Sequence, residues 1–238
     1  MDYVQVGNDV PNGLDRIDQV GLPLDDVYRY KELGRNVTVY VLDTGMAMDH
    51  VDFQGRATCG LDPFRINTNN DFFEPIDDDI FDNLPPTPYC NDTFNHGTPI
   101  AAIIGGMLSG VAKKATLVSV KVIGSGGGTA SSVLAGLEYV RLQKLAFPAK
   151  PMIVNMSLGS IYSKSVNQAV DKLVDSGVSV VTAAGNRGIN ACLVSPASSR
   201  RAITVGASTT SFRVFDNRDR RAFFSNWGRC VDIFAYVF

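Results

Sequence analysis

Apolar positions along this chain follow two alternating spacings. Short apolar runs rich in β-branched residues predict buried strands at 37–42, 117–122, 152–156, 178–183 and 203–205. Apolar residues with helical spacing predict two helices, one through 133, 134, 137 and 140 and one through 166, 169, 170, 173 and 174. Strands that alternate with helices are typical of crossover units, which build parallel sheets. The pattern predicts an α/β fold with a doubly wound, mainly parallel sheet and helices on both faces.

Two segments lack this periodicity. Residues 61–93 are rich in Asp, Asn and Pro, and residues 212–221 carry charges of both signs. We interpret the first as a long surface excursion and the second as an exposed insertion. Asp77, Asp78 and Asp79 could bind a cation, but a solvated acidic loop is the favoured explanation.

Composition narrows the possible partners. The 238 residues are 45% hydrophobic and 19% charged, with a formal net charge of -2. This is a globular composition, and it gives no electrostatic argument for nucleic acid or for an anionic membrane. No apolar stretch reaches the roughly 18 residues of a membrane span, and the first residues lack the pattern of a signal peptide.

The four cysteines have no C-x-x-C pair, so zinc or thioredoxin-like chemistry is not indicated. Disulfides are favoured over free buried thiols. Spacing alone leaves three full pairings open.

Three motifs carry candidate chemistry. Asp43-Thr44-Gly45 closes an apolar run, His96-Gly97-Thr98 precedes one that reads as a helix, and Asn186 follows a strand that glycine ends. Singly, each has a structural explanation: a turn aspartate, a structural histidine and a left-handed asparagine. Aspartate, then histidine, then serine is one chain order of the acyl-transfer triad, and a side-chain amide can stabilise its oxyanion.

Glycine-rich segments could form a binding cleft. Gly126, Gly127 and Gly128 follow one strand, and Asn155, Ser157, Leu158 and Gly159 follow another. Their backbone groups could pair with an extended peptide. A phosphate loop is the alternative, but no Gly-Lys-Ser/Thr element or strand-bound G-x-G-x-x-G supports it.

Taken together, the motifs resemble those of the subtilisin-like serine proteases, and within them the proteinase K branch. The matching segments are Leu14 to Gln19, Asp43 to Gly45, His96 to Thr98, Gly110 to Leu117, Asn155 to Gly159, Ala183 to Asn186, Ser195 to Ala197 and Phe224 to Ala235. They cover nearly the whole chain in the family's order. The resemblance implies Asp43 as the orienting carboxylate, His96 as the general base, Asn186 as the oxyanion donor, and 126–128 with 155–159 as the cleft.

The same resemblance implies an endopeptidase that needs no cofactor for its chemistry, with structural calcium possible but not assigned to residues. It implies peptide or protein substrates, a propeptide, a monomeric state, and an extracellular, secretory or vacuolar location. It also implies the disulfides Cys59 to Cys90 and Cys192 to Cys230.

The chain departs from the family pattern at positions that matter for activity. No Gly-Thr-Ser motif occurs among the 238 residues, while Pro99, Ala102 and Thr209 stand where the family commonly has histidine, glycine and a calcium-binding aspartate. We therefore expect residues 14–238 to form an incomplete peptidase domain, lacking the nucleophile and inactive by itself, after a lead segment 1–13. The alternative is a non-catalytic protein that binds extended peptides in the same cleft.

Overall fold

A computed structural model describes residues 3–7, 10–65, 89–210 and 218–237. Asp77 to Asp79 and most of the predicted excursion at 61–93 lie outside the described residues.

The described strands alternate with helices along the chain. The strands are Tyr3–Val6 (β1), Val27–Tyr30 (β2), Thr38–Asp43 (β3), Ala57–Leu61 (β4), Thr116–Lys121 (β5), Ile123–Gly124 (β6), Gly127–Gly128 (β7), Met152–Met156 (β8), Ser160–Ile161 (β9), Ser179–Ala183 (β10), Val194–Ser195 (β11), Ile203–Thr210 (β12), Asp219–Arg221 (β13) and Ile233–Tyr236 (β14). The α-helices are Asn12–Asp18 (α1), Gly97–Gly105 (α2), Ala130–Ala146 (α3) and Lys164–Asp175 (α4). Short 3-10 turns occur at Val51–Phe53, Pro63–Arg65 and Ala191–Leu193.

The central sheet is mainly parallel. In the described part of the chain its strand order is β13, β12, β10, β8, β3, β5, β4, and β14 also pairs with β12. All of these pairings are parallel except that of β13 with β12. Strand β3, predicted from its apolar run, lies near the middle and is buried at every residue, as expected for a strand covered on both faces. The predicted fold class is confirmed.

Both faces of the sheet carry helices because successive side chains on a strand point to opposite sides. Tyr40 and Leu42 of β3 pack in one apolar cluster with residues of α3 and α4. Val39 and Val41 pack in another with Ala101 of α2. The helix that follows His96 therefore lies on the face opposite the two long helices.

Side-chain caps fix where the two long helices begin. Thr129 Oγ1 accepts a hydrogen bond from the Ser132 amide at 3.1 Å, and Ser132 Oγ accepts one from the Thr129 amide at 3.0 Å. This reciprocal pair is a capping box at the start of α3. Ser163 accepts a weaker bond from the Val166 amide at the start of α4.

Two disulfides join segments that are distant in the sequence. Cys59 is bonded to Cys90 and Cys192 to Cys230, with Cα separations of 5.4 and 5.3 Å. Both pairings that the resemblance implied are confirmed. The first holds the segment before His96 against the edge of the sheet, since Cys59 lies in β4.

One feature differs from the sequence-based expectations, and two others were not predicted. Residues 219–221, predicted as part of an insertion, are exposed but form the antiparallel strand β13. The backbone of β12 supplies the pairing partners, which local sequence does not reveal. Gly127 and Gly128 form β7, which pairs with β6 in a small hairpin. At the N-terminus, β1 pairs with β2, and α1 begins at Asn12.

Candidate active site

Asp43 is the last residue of β3, and its side chain is completely buried. Its Oδ1 accepts a hydrogen bond from the Thr44 amide at 2.7 Å and lies 2.7 Å from His96 Nδ1. Its Oδ2 is buried without a hydrogen-bond partner among the described residues. A buried carboxylate with an unpaired oxygen is costly. In the described part of the chain, His96 is therefore the one side chain that contacts this carboxylate with a possible donor.

His96 is the residue immediately before α2, and 51% of its side chain is exposed. An ionised carboxylate can only accept hydrogen bonds, so Nδ1 carries the proton shared with Asp43. In the neutral ring this leaves Nε2 with a lone pair. Nε2 has no hydrogen-bond partner within the described ranges. The imidazole is oriented by one nitrogen and free to accept a proton at the other.

The close approach of α2 to the turn after β3 depends on two glycines. A Cβ on Gly97 would lie 2.1 Å from the Gly45 carbonyl oxygen and 3.2 Å from Asp43 Cβ. A Cβ on Gly45, where φ is +113°, would lie 2.3 Å from the Asn91 carbonyl oxygen. Neither backbone position can accept a side chain without movement. The two motifs Asp43-Thr44-Gly45 and His96-Gly97-Thr98 therefore come together through backbone contact.

Asp92 and Thr44 cap α2 from outside the helix. His96 makes no side-chain cap. Instead the Gly97 amide donates to Thr44 Oγ1 at 2.9 Å, and the Thr98 amide donates to Asp92 Oδ2 at 2.8 Å. Thr44 Oγ1 in turn donates to Asp92 Oδ1 at 2.7 Å. These bonds satisfy amides that a helix leaves free at its N-terminus, and they tie the residue after Asp43 to the residues after His96.

The pKa of the Asp92 carboxyl follows from these contacts. Burial raises this pKa, but hydrogen bonds from Thr98, Thr44 and the Phe94 amide outweigh burial and lower it from 3.8 to about 2. The carboxylate is therefore held in its charged form by the same bonds that cap the helix.

We expect Asp92→Asn to lower the free energy of unfolding at pH 7 by about 1–2 kcal/mol, after allowance for partial solvent exposure. The folded-state pKa lies below the unfolded value, so the ionised group stabilises the fold above about pH 4. This contribution is lost as the pH falls towards 2. Urea unfolding of both proteins at pH 7, 4 and 3 should show the difference shrinking with acidity.

Asp175→Asn is the matched control, because Asp175 pairs with Arg201 at an exposed position. Its effect should be below about 0.5 kcal/mol. A difference between Asp92→Asn and the unchanged protein that stayed constant from pH 7 to 3 would contradict the assigned role.

Lys121 supports the same turn from the neighbouring strand, where it lies opposite Asp43 in register. Its buried Nζ donates to the Thr44 carbonyl at 2.5 Å, the Asn91 carbonyl at 2.7 Å and the Thr93 hydroxyl at 3.1 Å. All three donors of the ammonium are thus used. Burial lowers the pKa of Lys121, against the opposing effect of Asp62 and Asp92. Lys121 fixes the chain segments that carry Asp43 and Asp92.

Asn186 lies in the turn after β10, and buried Asn226 fixes that turn. Asn226 Oδ1 accepts from the Arg187 and Ile189 amides, each at 3.1 Å, and its Nδ2 donates to the Ala184 carbonyl at 2.7 Å. Strand β8 separates β10 from β3. With about 4.8 Å between neighbouring strands, the ends that carry Asn186 and Asp43 are about 10 Å apart at one edge of the sheet.

A cavity of about 200 Å³ opens beside Asn186. It is lined by neutral residues and one arginine: Ser157, Leu158, Gly159, Ser160, Ala183, Ala184, Gly185, Asn186, Arg187, Val194 and Asn226. The structure thus brings Asn186 together with the predicted cleft residues 157–159. Asn155 lies just outside and donates to Ser157 Oγ at 3.0 Å. Gly126, Gly127 and Gly128 are exposed and do not line this cavity.

The interpretation of the sequence missed Thr44, Asp92, Lys121 and Asn226 as supports of the site. Asp92 lies four residues before His96, and Lys121 lies near the end of a predicted strand, so the position of each in the sequence offered only a weak signal. Among the described residues, no group of three or more acidic, histidine or cysteine side chains could hold a metal ion. No helix in the described ranges is long and apolar enough to cross a membrane.

Similar proteins have been characterised. The chain is 43% identical over 224 residues to alkaline serine exoprotease A of Vibrio alginolyticus, covering 94% of this chain and 36% of that protein. It is 42% identical to the extracellular serine proteinase of Thermus sp. strain Rt41A, covering 94% of this chain and 47% of that protein. The chain therefore spans between about a third and a half of the length of these relatives.

The fold is likewise shared. The crystal structure of a cold-adapted subtilisin-like serine proteinase matches with a TM-score of 0.76 and 39% identity, over 96% of this chain and 73% of that chain. The sequence model of the subtilase family, peptidase S8, matches residues 34–237. On sequence and on structure, the chain belongs to the subtilase family.

Proposed function

We propose that this chain carries the acid–base part of a serine endopeptidase that cleaves extended peptide segments by acyl transfer. The observation that carries the proposal is the 2.7 Å contact between the buried Asp43 carboxylate and His96 Nδ1, while Nε2 has no hydrogen-bond partner among the described residues. This is the arrangement in which a histidine removes the proton of a nucleophile.

Each residue has a defined role in this proposal. Asp43 holds the tautomer with the proton on Nδ1 and stabilises the imidazolium that forms. His96 accepts the proton of the attacking hydroxyl at Nε2 and returns it to the leaving amine. Asn186 donates its amide to the oxyanion of the tetrahedral intermediate. Residues 155–159, with 126–128 as a more distant edge, pair with the backbone of the substrate.

No nucleophile is assigned among the 238 residues, because no Gly-Thr-Ser motif occurs in them. We infer that residues 14–238 contribute the rest of the peptidase domain after a lead segment 1–13, and that the serine belongs to another part of the protein. A propeptide, a monomeric state and secretion or vacuolar delivery are part of the proposal. Two disulfides are consistent with an oxidising compartment.

The proposed chemistry requires no cofactor. We propose no complete set of ligands for a structural calcium ion. Asp18 Oδ1 and Gln19 Oε1, on adjacent residues, are buried without hydrogen-bond partners in the described part of the chain. They are oxygen atoms of the type that calcium prefers as ligands.

The alternative is a protein that binds extended peptides without cleaving them. It is favoured by the burial of Ser195 and Ser225, two of the three serines in segments that match the family, with exposures of 1% and 0%. Both hypotheses use the same cavity, so peptide binding by itself does not distinguish them. Cleavage of a bound peptide does distinguish them.

The experiment is to express the protein from its whole reading frame and to assay it against an unfolded protein substrate. We expect cleavage, together with stoichiometric labelling of one serine by a fluorophosphonate. Saturable peptide binding without cleavage or labelling would favour the non-catalytic alternative. A folded protein with none of these activities would contradict both.

A further inference from the structure

The cavity beside Asn186 contains one charged residue. Ten of its eleven lining residues are small, apolar or neutral polar, and the other is Arg187. Arg187 is exposed, while its backbone amide is fixed to Asn226 Oδ1 at 3.1 Å. A guanidinium on a fixed backbone at the edge of a cavity is well placed to pair with a bound anion.

Arg187 has no carboxylate partner among the described residues, unlike several other arginines. Arg16 pairs with Asp219, Arg141 with Glu138 and Arg201 with Asp175. No ion pair or side-chain hydrogen bond involves Arg187 within the described ranges. Its charge is therefore available to a ligand.

The surrounding part of the sequence is basic although the whole chain is not. Residues 176–238 contain eight arginines, no lysine and three aspartates, a net charge of +5 in a chain of net charge -2. Arg221 belongs to this part, and its Nη1 donates to the Ser225 carbonyl at 2.6 Å, next to Asn226. Of these arginines, Arg187 lines the cavity and Arg221 contacts the residue before Asn226, whereas Arg201 pairs with Asp175 just outside this segment.

We propose that this cavity selects peptides that present a carboxylate, and that Arg187 is the residue that determines this preference. The inference rests on the proposed function, for which it names the class of substrate. Apolar and small lining residues accommodate the methylene groups of an acidic side chain, and the guanidinium pairs with its two oxygens. The carboxylate belongs to an Asp or Glu side chain or to the C-terminus of a peptide.

The test is calorimetric titration of the intact chain at low salt with blocked tetrapeptides that differ in one group. Acetyl-Ala-Ala-Ala-Glu-amide is compared with its Gln counterpart, and acetyl-Ala-Ala-Ala-Ala with a free carboxylate is compared with its amide. We expect the preferred carboxylate to bind about threefold to tenfold more tightly than its neutral counterpart. Salt at about 0.5 M should reduce this ratio towards one.

Variants assign the preference to one side chain. Arg187→Gln should abolish it, Arg187→Glu should invert it, and Arg187→Lys should retain part of it. Arg200→Gln is the matched control, since Arg200 is an exposed arginine of the same basic part and does not line the cavity. That variant should keep the full ratio, apart from a small loss of long-range attraction.

Equal binding of acidic and neutral peptides to the unchanged chain would overturn the proposal, as would an unchanged ratio in Arg187→Gln. Absence of saturable binding by every peptide would overturn it too. Because these experiments measure equilibrium binding, they test the carboxylate preference even if the chain cleaves no peptide. Conversely, cleavage without any carboxylate preference would retain the proposed function and remove only this inference.

Discussion

In the protein expressed from its whole reading frame, His96→Ala is expected to lower kcat about a millionfold. In subtilisin, loss of the catalytic histidine costs about 2 × 10⁶ in kcat. The reason here is that His96 Nε2 is the group available to remove the proton of a nucleophile, while its Nδ1 is held by Asp43. KM should change little, because His96 does not line the cavity beside Asn186.

The measurement is steady-state cleavage of a peptide amide by purified protein, with active sites counted by titration. His50→Ala is the matched control, because His50 is the other histidine of the chain and is exposed. Its Nδ1 accepts a hydrogen bond from the Asp52 amide at 3.3 Å, in a short turn. We expect that variant to keep kcat within about twofold. Retention of activity by His96→Ala would remove the basis of the proposed mechanism.

A polypeptide of the 238 residues alone is expected to show no labelling by a fluorophosphonate at pH 8 and no cleavage of an unfolded protein. An activated serine must lie within hydrogen-bond reach of its base. Ser195 Oγ instead contacts the Ser163 carbonyl at 3.2 Å, and Ser225 Oγ donates to the Asn226 carbonyl at 3.0 Å. Both hydroxyls are buried and already engaged.

Mass spectrometry of the treated polypeptide provides the measurement, and the protein from the whole reading frame provides the positive control. Stoichiometric labelling of any serine in the 238-residue polypeptide, abolished by His96→Ala, would reveal a nucleophile that the motifs do not show. Slow labelling that persisted in His96→Ala would reflect ordinary hydroxyl reactivity and would leave the expectation intact.

Three features hold Asp43 and His96 in place: the hydrogen bonds of Thr44 and Asp92, the hydrogen bonds of Lys121, and the Cys59–Cys90 disulfide. Thr44 and Asp92 connect the turn after Asp43 with the first turn of α2. Lys121 joins the same turn to the segment that precedes His96. Asp92 lies four residues before His96 and two residues after Cys90 of the Cys59–Cys90 disulfide, so displacement of this segment would move the imidazole away from the Asp43 carboxylate.

Local sequence was sufficient for the elements that carry the site. The run Val39-Tyr40-Val41-Leu42 predicted a buried strand ending at Asp43, and the structure places that strand at Thr38–Asp43. The apolar residues after His96 predicted a helix, which spans Gly97–Gly105. Both predictions depend on β-propensity and on periodicity, which act between neighbours in the chain. The carboxyl ends of parallel strands share one edge, so the approximate grouping of the motifs followed as well.

Other features were decided only by tertiary contacts. Strand β13 exists because β12 offers a free edge to Asp219–Arg221, a segment whose own residues suggested an exposed insertion. Gly126, Gly127 and Gly128 were grouped with the cleft from their position after a strand, and the structure adds that Gly127 and Gly128 pair with β6 in a hairpin that does not line the cavity beside Asn186. Asp92, Lys121 and Asn226 act through hydrogen bonds to backbone groups far along the sequence. Periodicity records which face of an element is buried, whereas such bonds depend on which backbone groups the folded chain leaves unpaired beside them.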